Sequence, residues 1–255
     1  MTKPILEVTN LHIERSGTVI LRDVNWRVQR GEHWVILGAN GSGKTSLLSA
    51  LTGYLMPTSG EISVLGETYG ESDWRELRKK IGLVSSSVRQ MMADDEPALE
   101  TVASGKYAMI DFWGRLSRTD KAKTQQQLRR VECEHLANRQ WGVLSQGERQ
   151  RVLILDEPCA GLDPAAREHF LQFIQRLGQK KNSPTMVLVT HHVEEMMPVF
   201  SHVLILKNGA VLVAGNKKSV MTSKNLSAAF AAQMKLGFSR GRYAMRLQNP
   251  AHASK

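Results

Sequence analysis

The chain has 255 residues and a formal net charge of +10, from 34 Lys and Arg against 24 Asp and Glu, which suits one large globular domain. No apolar run approaches the roughly 18 residues of a transmembrane helix, Met1–Pro4 opens no secretory apolar region, and Cys133 and Cys159 lack metal-ligand spacing. We therefore expect a protein of the reducing cytosol, in which any membrane role depends on a partner chain.

The excess positive charge does not by itself indicate a nucleic-acid partner. Its basic residues are scattered over polar helix faces such as Arg75–Lys80 and Lys121–Arg130, without interleaved aromatic residues. These runs are typical of solvated helix faces, and no nucleic-acid partner is expected.

The first 30 residues predict an antiparallel β layer. Short strand-like runs alternate there with Asn, Gly and Asp, which favour turns. The runs are Ile5–Val8, Leu11–Glu14, Thr18–Leu21 and Val24–Gln29.

A phosphate-binding loop follows this layer. Residues Gly38–Thr45 read GANGSGKT, which fits the pattern G-x-x-x-x-G-K-[ST], and the loop lies between a strand at His33–Leu37 and a helix at Ser46–Leu51. Its glycines let backbone N–H groups point at an anion, Lys44 would reach the β- and γ-phosphates of ATP, and Thr45 would bind Mg²⁺. The structural alternative is a glycine-rich turn without a ligand. The predicted nucleotide contacts are Gly38, Asn40, Gly41, Ser42, Gly43, Lys44, Thr45 and Ser46.

The next segment predicts a return to the β layer and then a helical insertion. Pro57–Gly60 is a turn, and the elements after it are a strand at Glu61–Leu65, a short helix from an N-cap at Ser72 through Lys80, and a strand at Ile81–Val84. From about Ser85 to Trp141 the β-branched runs stop. Thr119 could cap a helix through Ala137 there, with Leu128, Val131 and Leu136 as its apolar stripe.

Strand character resumes at Val152–Leu155, which ends on Asp156 and Glu157. In an open parallel sheet, ligands lie at that end of the strands. Asp163 and Pro164 predict the N-cap and first residue of a helix that stops at Gly178.

The remaining segment predicts a strand, a hairpin and a tail. Thr185–Thr190 is a buried strand ending on His191. Asn208-Gly209 between Val203–Leu206 and Ala210–Val213 is a strong hairpin signal. Beyond about Gly215 the sequence predicts helix at most, with a loose basic tail over residues 238–255.

Four further motifs follow the phosphate loop in a fixed order. They are Leu144-Ser145-Gln146-Gly147-Glu148, Asp156-Glu157-Pro158, Ala160-Gly161-Leu162-Asp163 and Thr190-His191. Together with the loop they resemble the nucleotide-binding subunit of ABC transporters, from about Leu6 to Gly215. The resemblance implies an α/β fold: a P-loop NTPase core with a mainly parallel sheet, an N-terminal antiparallel β layer and an inserted helical subdomain.

The resemblance also assigns roles at an ATP and Mg²⁺ site. Asp156 would hold Mg²⁺ through its water shell, Glu157 would polarise the attacking water, and His191 would contact the γ-phosphate and bridge to Glu157. Neighbouring carboxylates on an extended strand end point to opposite sides, so one can serve the metal and the other the water. The structural alternatives to these catalytic roles are a solvated acidic strand end for Asp156 and Glu157 and a packed or exposed histidine for His191.

A second copy of the chain is implied as a partner. Ser145 and Gly147 resemble the signature residues that bind the γ-phosphate of ATP held by the other copy, and Asp163 would lie at the same seam. The implied active form is a homodimer closed on two ATP molecules. It would act at the cytoplasmic face of the membrane on integral membrane permease subunits.

Three departures from the family pattern stand out. Arg15-Ser16-Gly17 replaces the aromatic residue that stacks on adenine, although a guanidinium can also stack on a flat ring. The glutamine that contacts Mg²⁺ would be expected at Ser86, with Gln90 as the nearest substitute. Only eleven positions separate Ser145 from Asp156. This link is too short for both a three-turn signature helix and the following strand, and we expect the strand to form.

The predicted domains are a core at 1–84 and 150–215, a helical subdomain at 85–149, and a C-terminal helical and basic tail at 216–255. Two functions remain open. The first is a transporter ATPase subunit, and the second is an ATP-binding protein with impaired hydrolysis, either regulatory or a deletion form. A third reading, a relative acting on DNA or ribosomes, is disfavoured because the chain neither joins two nucleotide domains nor inserts long arms.

Overall fold

Two layers of β-sheet with helices between and behind them make up the computed structural model of the chain. The structure describes residues 3–85, 97–107, 114–130, 134, 137–138 and 152–248. The strands are β1 (Leu6–Arg15), β2 (Thr18–Val28), β3 (Trp34–Leu37), β4 (Ser59–Val64), β5 (Glu67–Thr68), β6 (Ile81–Ser85), β7 (Val152–Asp156), β8 (Thr185–Thr190), β9 (His202–Lys207), β10 (Ala210–Asn216), β11 (Met234–Ser239) and β12 (Arg242–Leu247). The helices are α1 (Lys44–Leu51), α2 (Trp74–Arg78), α3 (Ala98–Ser104), α4 (Arg118–Arg130), α5 (Pro164–Gly178), α6 (Lys217–Val220) and α7 (Ser223–Phe230), with short 3₁₀ turns at Gly105–Tyr107 and Val193–Glu195.

The antiparallel sheet has the strand order β2-β1-β4-β5. Four short strands were predicted in the first 30 residues, but the structure has two long ones. Asn10 and Asp23, which were expected to end strands, both have a φ of 47° and lie where the β1–β2 register shifts. Because Asn and Asp tolerate left-handed backbone, they form bulges and the strands continue through them.

The second sheet has the order β10-β9-β3-β8-β7-β6. The pairs from β9 through β6 are parallel, and only the edge strand β10 is antiparallel. Every residue of β3 and β8 is buried, as expected for central strands covered on both faces. The strands β3, β8 and β7 therefore end side by side, which confirms the predicted α/β fold with a mainly parallel sheet.

A hydrophobic core covers each face of this parallel sheet. On one face, α1 packs with Leu47 and Leu51 between the two sheets, against residues such as Leu11 and Ile36. On the other face, Leu171 and Ile174 of α5 pack with Phe200 and Leu226. Burial of a large apolar side chain contributes about 1.5–3 kcal/mol, so these two cores fix the sheet edge to which the phosphate loop is attached.

Two predicted helices have different boundaries in the structure. The helix predicted from Ser72 is α2, whose N-cap is Asp73, because the Asp73 carboxylate accepts from the Arg75 N–H while the Ser72 hydroxyl donates to Glu67. The helix predicted from Thr119 through Ala137 is α4, which the structure describes up to Arg130, while Ala137 lies in a turn, and Ser117 rather than Thr119 accepts the N–H of Asp120. Of its predicted stripe, Leu128 is buried, while Val131 and Leu136 lie outside the described residues.

The C-terminal segment is more ordered than the sequence suggested. Helices α6 and α7 are followed by the antiparallel hairpin β11–β12, where a helix or loose basic tail was predicted. Arg240 and Gly241 supply positive φ values of 50° and 79° at its turn. Leu236 and Met245 pack against the core beside α5, so alternate apolar residues hold this hairpin in place up to Gln248.

The described helices include none that is both long enough and apolar enough to cross a bilayer.

Candidate nucleotide-binding site

The candidate site lies at the carboxyl ends of three adjacent strands, β3, β8 and β7. Leu37, which leads into the phosphate loop, pairs with Thr190, and Asp156 pairs with Val189. The loop, the two acids and His191 therefore meet at one edge of the sheet. This is the position at which open parallel sheets bind ligands.

Glycines in the phosphate loop are required by packing as well as by backbone conformation. A Cβ on Gly38 would lie 2.5 Å from the carbonyl oxygen of Leu206 and 2.5 Å from the hydroxyl of Ser42. Gly43 has a φ of 100°, and a Cβ there would lie 2.6 Å from Leu21. A side chain at either position would displace the loop from the sheet.

The back of the loop is fixed by backbone hydrogen bonds. The N–H of Gly209, in the turn between β9 and β10, donates to the carbonyl oxygen of Ser42 at 3.1 Å. The N–H of Arg22 in turn donates to the carbonyl oxygen of Gly209 at 2.8 Å. Asn208 and Gly209 have φ values of 49° and 78°, which confirms the predicted two-residue hairpin turn. The loop thus rests on two elements distant in sequence.

Lys44 lies inside the loop. Its ammonium donates to the carbonyl oxygens of Gly38 at 3.0 Å and Ala39 at 3.1 Å, and the residue is 6% exposed. Burial lowers the pKa of Lys44, while the charges of Glu157 and Asp156 oppose that shift. The two hydrogen bonds of the Lys44 ammonium go to neutral carbonyl oxygens, so its charge is available to a phosphate anion bound at the loop, where Mg²⁺ would offset the negative charge of the acids.

The remaining loop residues fit a nucleotide with a bound Mg²⁺. The Ser42 hydroxyl is buried and has no hydrogen-bond partner among the residues that the structure describes. Thr45 is exposed in the first turn of α1, Ser46 is half-buried beside it, and Asn40 and Gly41 are exposed on the loop. Hydroxyl and carboxylate oxygens, as in Thr45 and Asp156, are the ligands that Mg²⁺ prefers.

The acid pair ends β7 with an abrupt change of direction. Asp156 is 5% exposed, and Glu157 has a φ of 46°, in the left-handed region that costs a non-glycine residue about 1–2 kcal/mol. The Glu157 N–H donates to the carbonyl oxygen of Val189 at 2.9 Å, which ties the turn to β8.

Glu157 and His191 meet across the ends of β7 and β8. The Nδ1 atom of His191 lies 3.1 Å from Oε1 of Glu157, and both side chains are about one-third exposed. Since a carboxylate can only accept, His191 donates from Nδ1 and leaves Nε2 directed elsewhere. The exposed edge therefore carries a carboxylate and an imidazole in contact beside the buried Lys44.

Comparisons with known proteins agree on one family. The ABC transporter family matches residues 21–160. The uncharacterized ABC transporter ATP-binding protein YlmA of Bacillus subtilis (strain 168) is 41% identical over 239 residues, which cover 89% of this chain and 90% of YlmA. This chain belongs to the ABC transporter family. The resemblance seen in the motifs is confirmed.

Solved ABC cassettes share the fold. The structure of cbiO1 from Clostridium perfringens, part of the ABC transporter complex cbiONQ, is 28% identical with a TM-score of 0.69, covering 89% of this chain and 94% of cbiO1. The cassette MJ0796, solved as a dimer bound to ADP and Pi, is 24% identical with a TM-score of 0.66, covering 83% of this chain and 98% of that one. The second likeness supports the fold alone.

Some predicted site residues of this ABC protein are placed away from the loop or not described. Asp163 caps α5, and its carboxylate accepts from the N–H groups of Ala165 and Ala166 at 2.8 and 2.9 Å. The signature residues Ser145 and Gly147, and the residues Ser86 and Gln90, lie outside the described residues. Their roles stay predictions.

Arg15 has a fixed hydrogen-bond arrangement. Its guanidinium donates to the carbonyl oxygens of Glu14, at 2.7 Å, and of Met56. This fixes Arg15 against the residues that lead into β4, at the turn where the ABC family has its adenine-stacking aromatic.

Sequence reasoning missed Glu195. This acid is 3% exposed and accepts a hydrogen bond from Thr190, next to His191. The sequence feature that could have identified Glu195 is an acid four positions after His191 that is directly followed by two apolar residues, Met196 and Met197.

Proposed function

We propose that this chain is the ATP-hydrolysing subunit of an ABC transporter, in which two copies close on two ATP molecules and drive transport through integral membrane subunits. The observation that carries the proposal is the Glu157–His191 contact of 3.1 Å, next to a phosphate loop that contains the buried Lys44. A loop without a catalytic edge would fit simple nucleotide binding equally well.

Each residue has a role set by its position. Backbone N–H groups of residues 38–45 and the Lys44 ammonium would bind the β- and γ-phosphates. Thr45 and Asp156 would hold Mg²⁺, which when bound neutralises charge on the phosphates. Glu157 would orient the attacking water and accept its proton, and His191, donating Nδ1–H to Glu157, would place Nε2 toward the γ-phosphate.

The assignment of membrane partners is supported by a relative. The cassette cbiO1, 28% identical, is described as part of a transporter complex. By analogy, Ser145 and Gly147 of one copy would complete the γ-phosphate site of the other, with Asp163 at the same seam. The complex would lie at the cytoplasmic face of the membrane through its integral membrane subunits.

A second candidate is an ABC protein that binds ATP and hydrolyses it poorly. Only eleven positions separate Ser145 from Asp156. A link this short would shorten the signature helix, which would impair closure of two copies on ATP and hence hydrolysis.

One experiment separates these functions. Purified protein is mixed with Mg²⁺ and ATP, phosphate release is followed, and the Glu157→Gln variant is analysed by sedimentation for an ATP-dependent dimer. Turnover by wild type together with a dimer of the variant supports the ATPase. Retained ATP without turnover or dimer supports the second candidate, and equal ATP retention by Lys44→Ala would overturn both.

A further inference from the structure

A buried carboxylate is hydrogen-bonded to the residue that precedes His191. Glu195 ends the 3₁₀ turn Val193–Glu195 and is 3% exposed. Burial of a carboxylate is costly unless donors satisfy it, so its partners indicate what the residue holds together.

The hydrogen-bond donor to Glu195 comes from the strand that carries His191. The Thr190 hydroxyl donates to Oε2 of Glu195 at 2.6 Å, and the same hydroxyl accepts the N–H of His192 at 3.0 Å. Glu195 therefore ties the end of β8 to the 3₁₀ turn that follows it.

The hydrogen bonds of Thr190 are adjacent to the acid–histidine edge. Thr190 directly precedes His191, and its hydroxyl links Glu195 to the N–H of His192. The backbone at Glu157 is in the strained left-handed region, with a φ of 46°, and its N–H donates to Val189, the residue before Thr190. A strained turn keeps its conformation only where its surroundings hold it, so the end of β8 that Glu195 fixes also supports Glu157.

The turn that carries Glu195 is fixed from its outer side as well. Oε1 of Glu194 accepts the N–H of Met245 in β12 at 3.1 Å. Arg242, at the start of the same strand, donates from Nε to the carbonyl oxygen of Glu194 at 3.2 Å and from Nη1 and Nη2 to Glu168 of α5 at 3.3 and 3.2 Å. The C-terminal hairpin thus closes over the turn and keeps Glu195 directed inward.

We infer that Glu195 is a positioning residue for hydrolysis: through Thr190 it sets the imidazole of His191 against the carboxylate of Glu157. It touches no reacting atom. The inference rests on the proposed ATPase function for its kinetic consequence, but the geometry that it explains exists without nucleotide.

The kinetic test removes one hydroxyl. Thr190→Val keeps the shape of a residue that is 1% exposed but leaves Glu195 without that donor. We expect kcat for ATP to fall about tenfold with KM changed less than about twofold, because the phosphate loop is untouched. Thr190→Ser should restore kcat, since it restores the donor.

A matched control is available in α1. Thr52 is 2% exposed, and its hydroxyl donates to the carbonyl oxygen of Leu48 at 2.8 Å, so Thr52→Val makes the same chemical change away from the acid–histidine edge. Thermal unfolding of both valine variants shows how much of any loss is due to stability. A kcat loss in Thr52→Val equal to that in Thr190→Val would overturn the inference.

A second readout needs no turnover. In ¹⁵N-labelled protein without nucleotide, long-range proton–nitrogen spectra report which imidazole nitrogen of His191 carries the proton, with His191→Gln used for assignment. Wild type and Thr52→Val should show one form, protonated at Nδ1, while Thr190→Val should show a mixture.

The outcomes separate the two hypotheses. If wild type does not hydrolyse ATP but the spectra change as expected, the proposed function fails and the positioning role stands. If wild type hydrolyses ATP and Thr190→Val alters neither kcat nor the spectra, the positioning role is overturned and the proposed function stands.

Discussion

The phosphate loop and the acid–histidine edge meet at one end of the sheet but are held in place by different means. Main-chain packing fixes the loop: Gly38 lies against the carbonyl of Leu206, and the turn at Gly209 hydrogen-bonds its back. Side-chain hydrogen bonds fix the edge: His191 donates to Glu157, and Thr190 donates to Glu195. Backbone packing tolerates almost no added atom, whereas a side-chain network can be weakened one bond at a time.

The largest expected effect comes from replacing Glu157, the acid of the acid–histidine edge. Glu157→Gln keeps the side-chain shape but removes the charge that would accept a proton from water, so kcat should fall about 10³-fold while ATP is still retained. Phosphate release and binding of labelled ATP measure the two quantities. The exposed acid Glu71 offers a control, Glu71→Gln, which should leave both unchanged. Loss of ATP binding along with turnover would show that the two regions are not separable.

A single added methyl group should break the loop. Gly38→Ala places its Cβ 2.5 Å from a backbone oxygen that cannot move aside, and we expect about 3 kcal/mol of overpacking and a matching loss of ATP affinity, roughly 100-fold. Gly70→Ala is the control, because it lies outside the predicted nucleotide contacts, its Cβ meets nothing within 4 Å and the φ of 90° adds only about 1–2 kcal/mol of strain. Titration with a fluorescent ATP analogue measures both, and equal affinities would contradict the steric argument.

A smaller effect is expected at the N-cap of α5. Asp163→Ala removes the acceptor for the N–H groups of Ala165 and Ala166 and should lower the free energy of unfolding by about 1 kcal/mol. Asp163→Asn keeps a capping oxygen and should recover most of that loss. Urea unfolding of the three proteins tests this. If Asn lowers turnover without lowering stability, the charge of Asp163 has a role at the dimer seam beyond capping.

The smallest expected signal is slow chemical modification of Cys159. Burial and the nearby Glu195 raise the pKa of this thiol to about 12 from an ordinary 9.0, so at pH 8 it carries about 1,000-fold less thiolate than an exposed cysteine. In a Cys133→Ser background, a thiol reagent at pH 8 should react only after unfolding. Rapid reaction of the native protein would show that the turn holding Cys159 opens readily.

The contrast between main-chain packing in the loop and side-chain hydrogen bonds at the edge also explains which features the sequence could predict. The GANGSGKT spacing predicts the loop because glycine is the only residue that its geometry allows at Gly38 and Gly43. Strand β7 and the cap at Asp163 were predictable from short patterns that act locally. The hydrogen bond from Thr190 to Glu195 was not predictable, because a buried acid has no sequence pattern that identifies its donor.

Two predictions from the sequence were wrong because contacts with distant segments overrode local sequence preferences. Asn10 and Asp23 were interpreted as strand ends because isolated residues of these types favour turns, but pairing with neighbouring strands converts them to bulges. The hairpin β11–β12 was missed because two strands are marginal alone, and it is held by the core beside α5 rather than by its own sequence.

The position of the hairpin β11–β12 couples the C-terminal region to the residues proposed to hydrolyse ATP. Strand β12 hydrogen-bonds the turn after His191, and Arg242 also donates to Glu168 in α5, the helix that Asp163 caps. A domain fused beyond this strand that pulls on it would therefore transmit strain to His191, which lies 51 residues before Arg242 in sequence, without approaching the nucleotide.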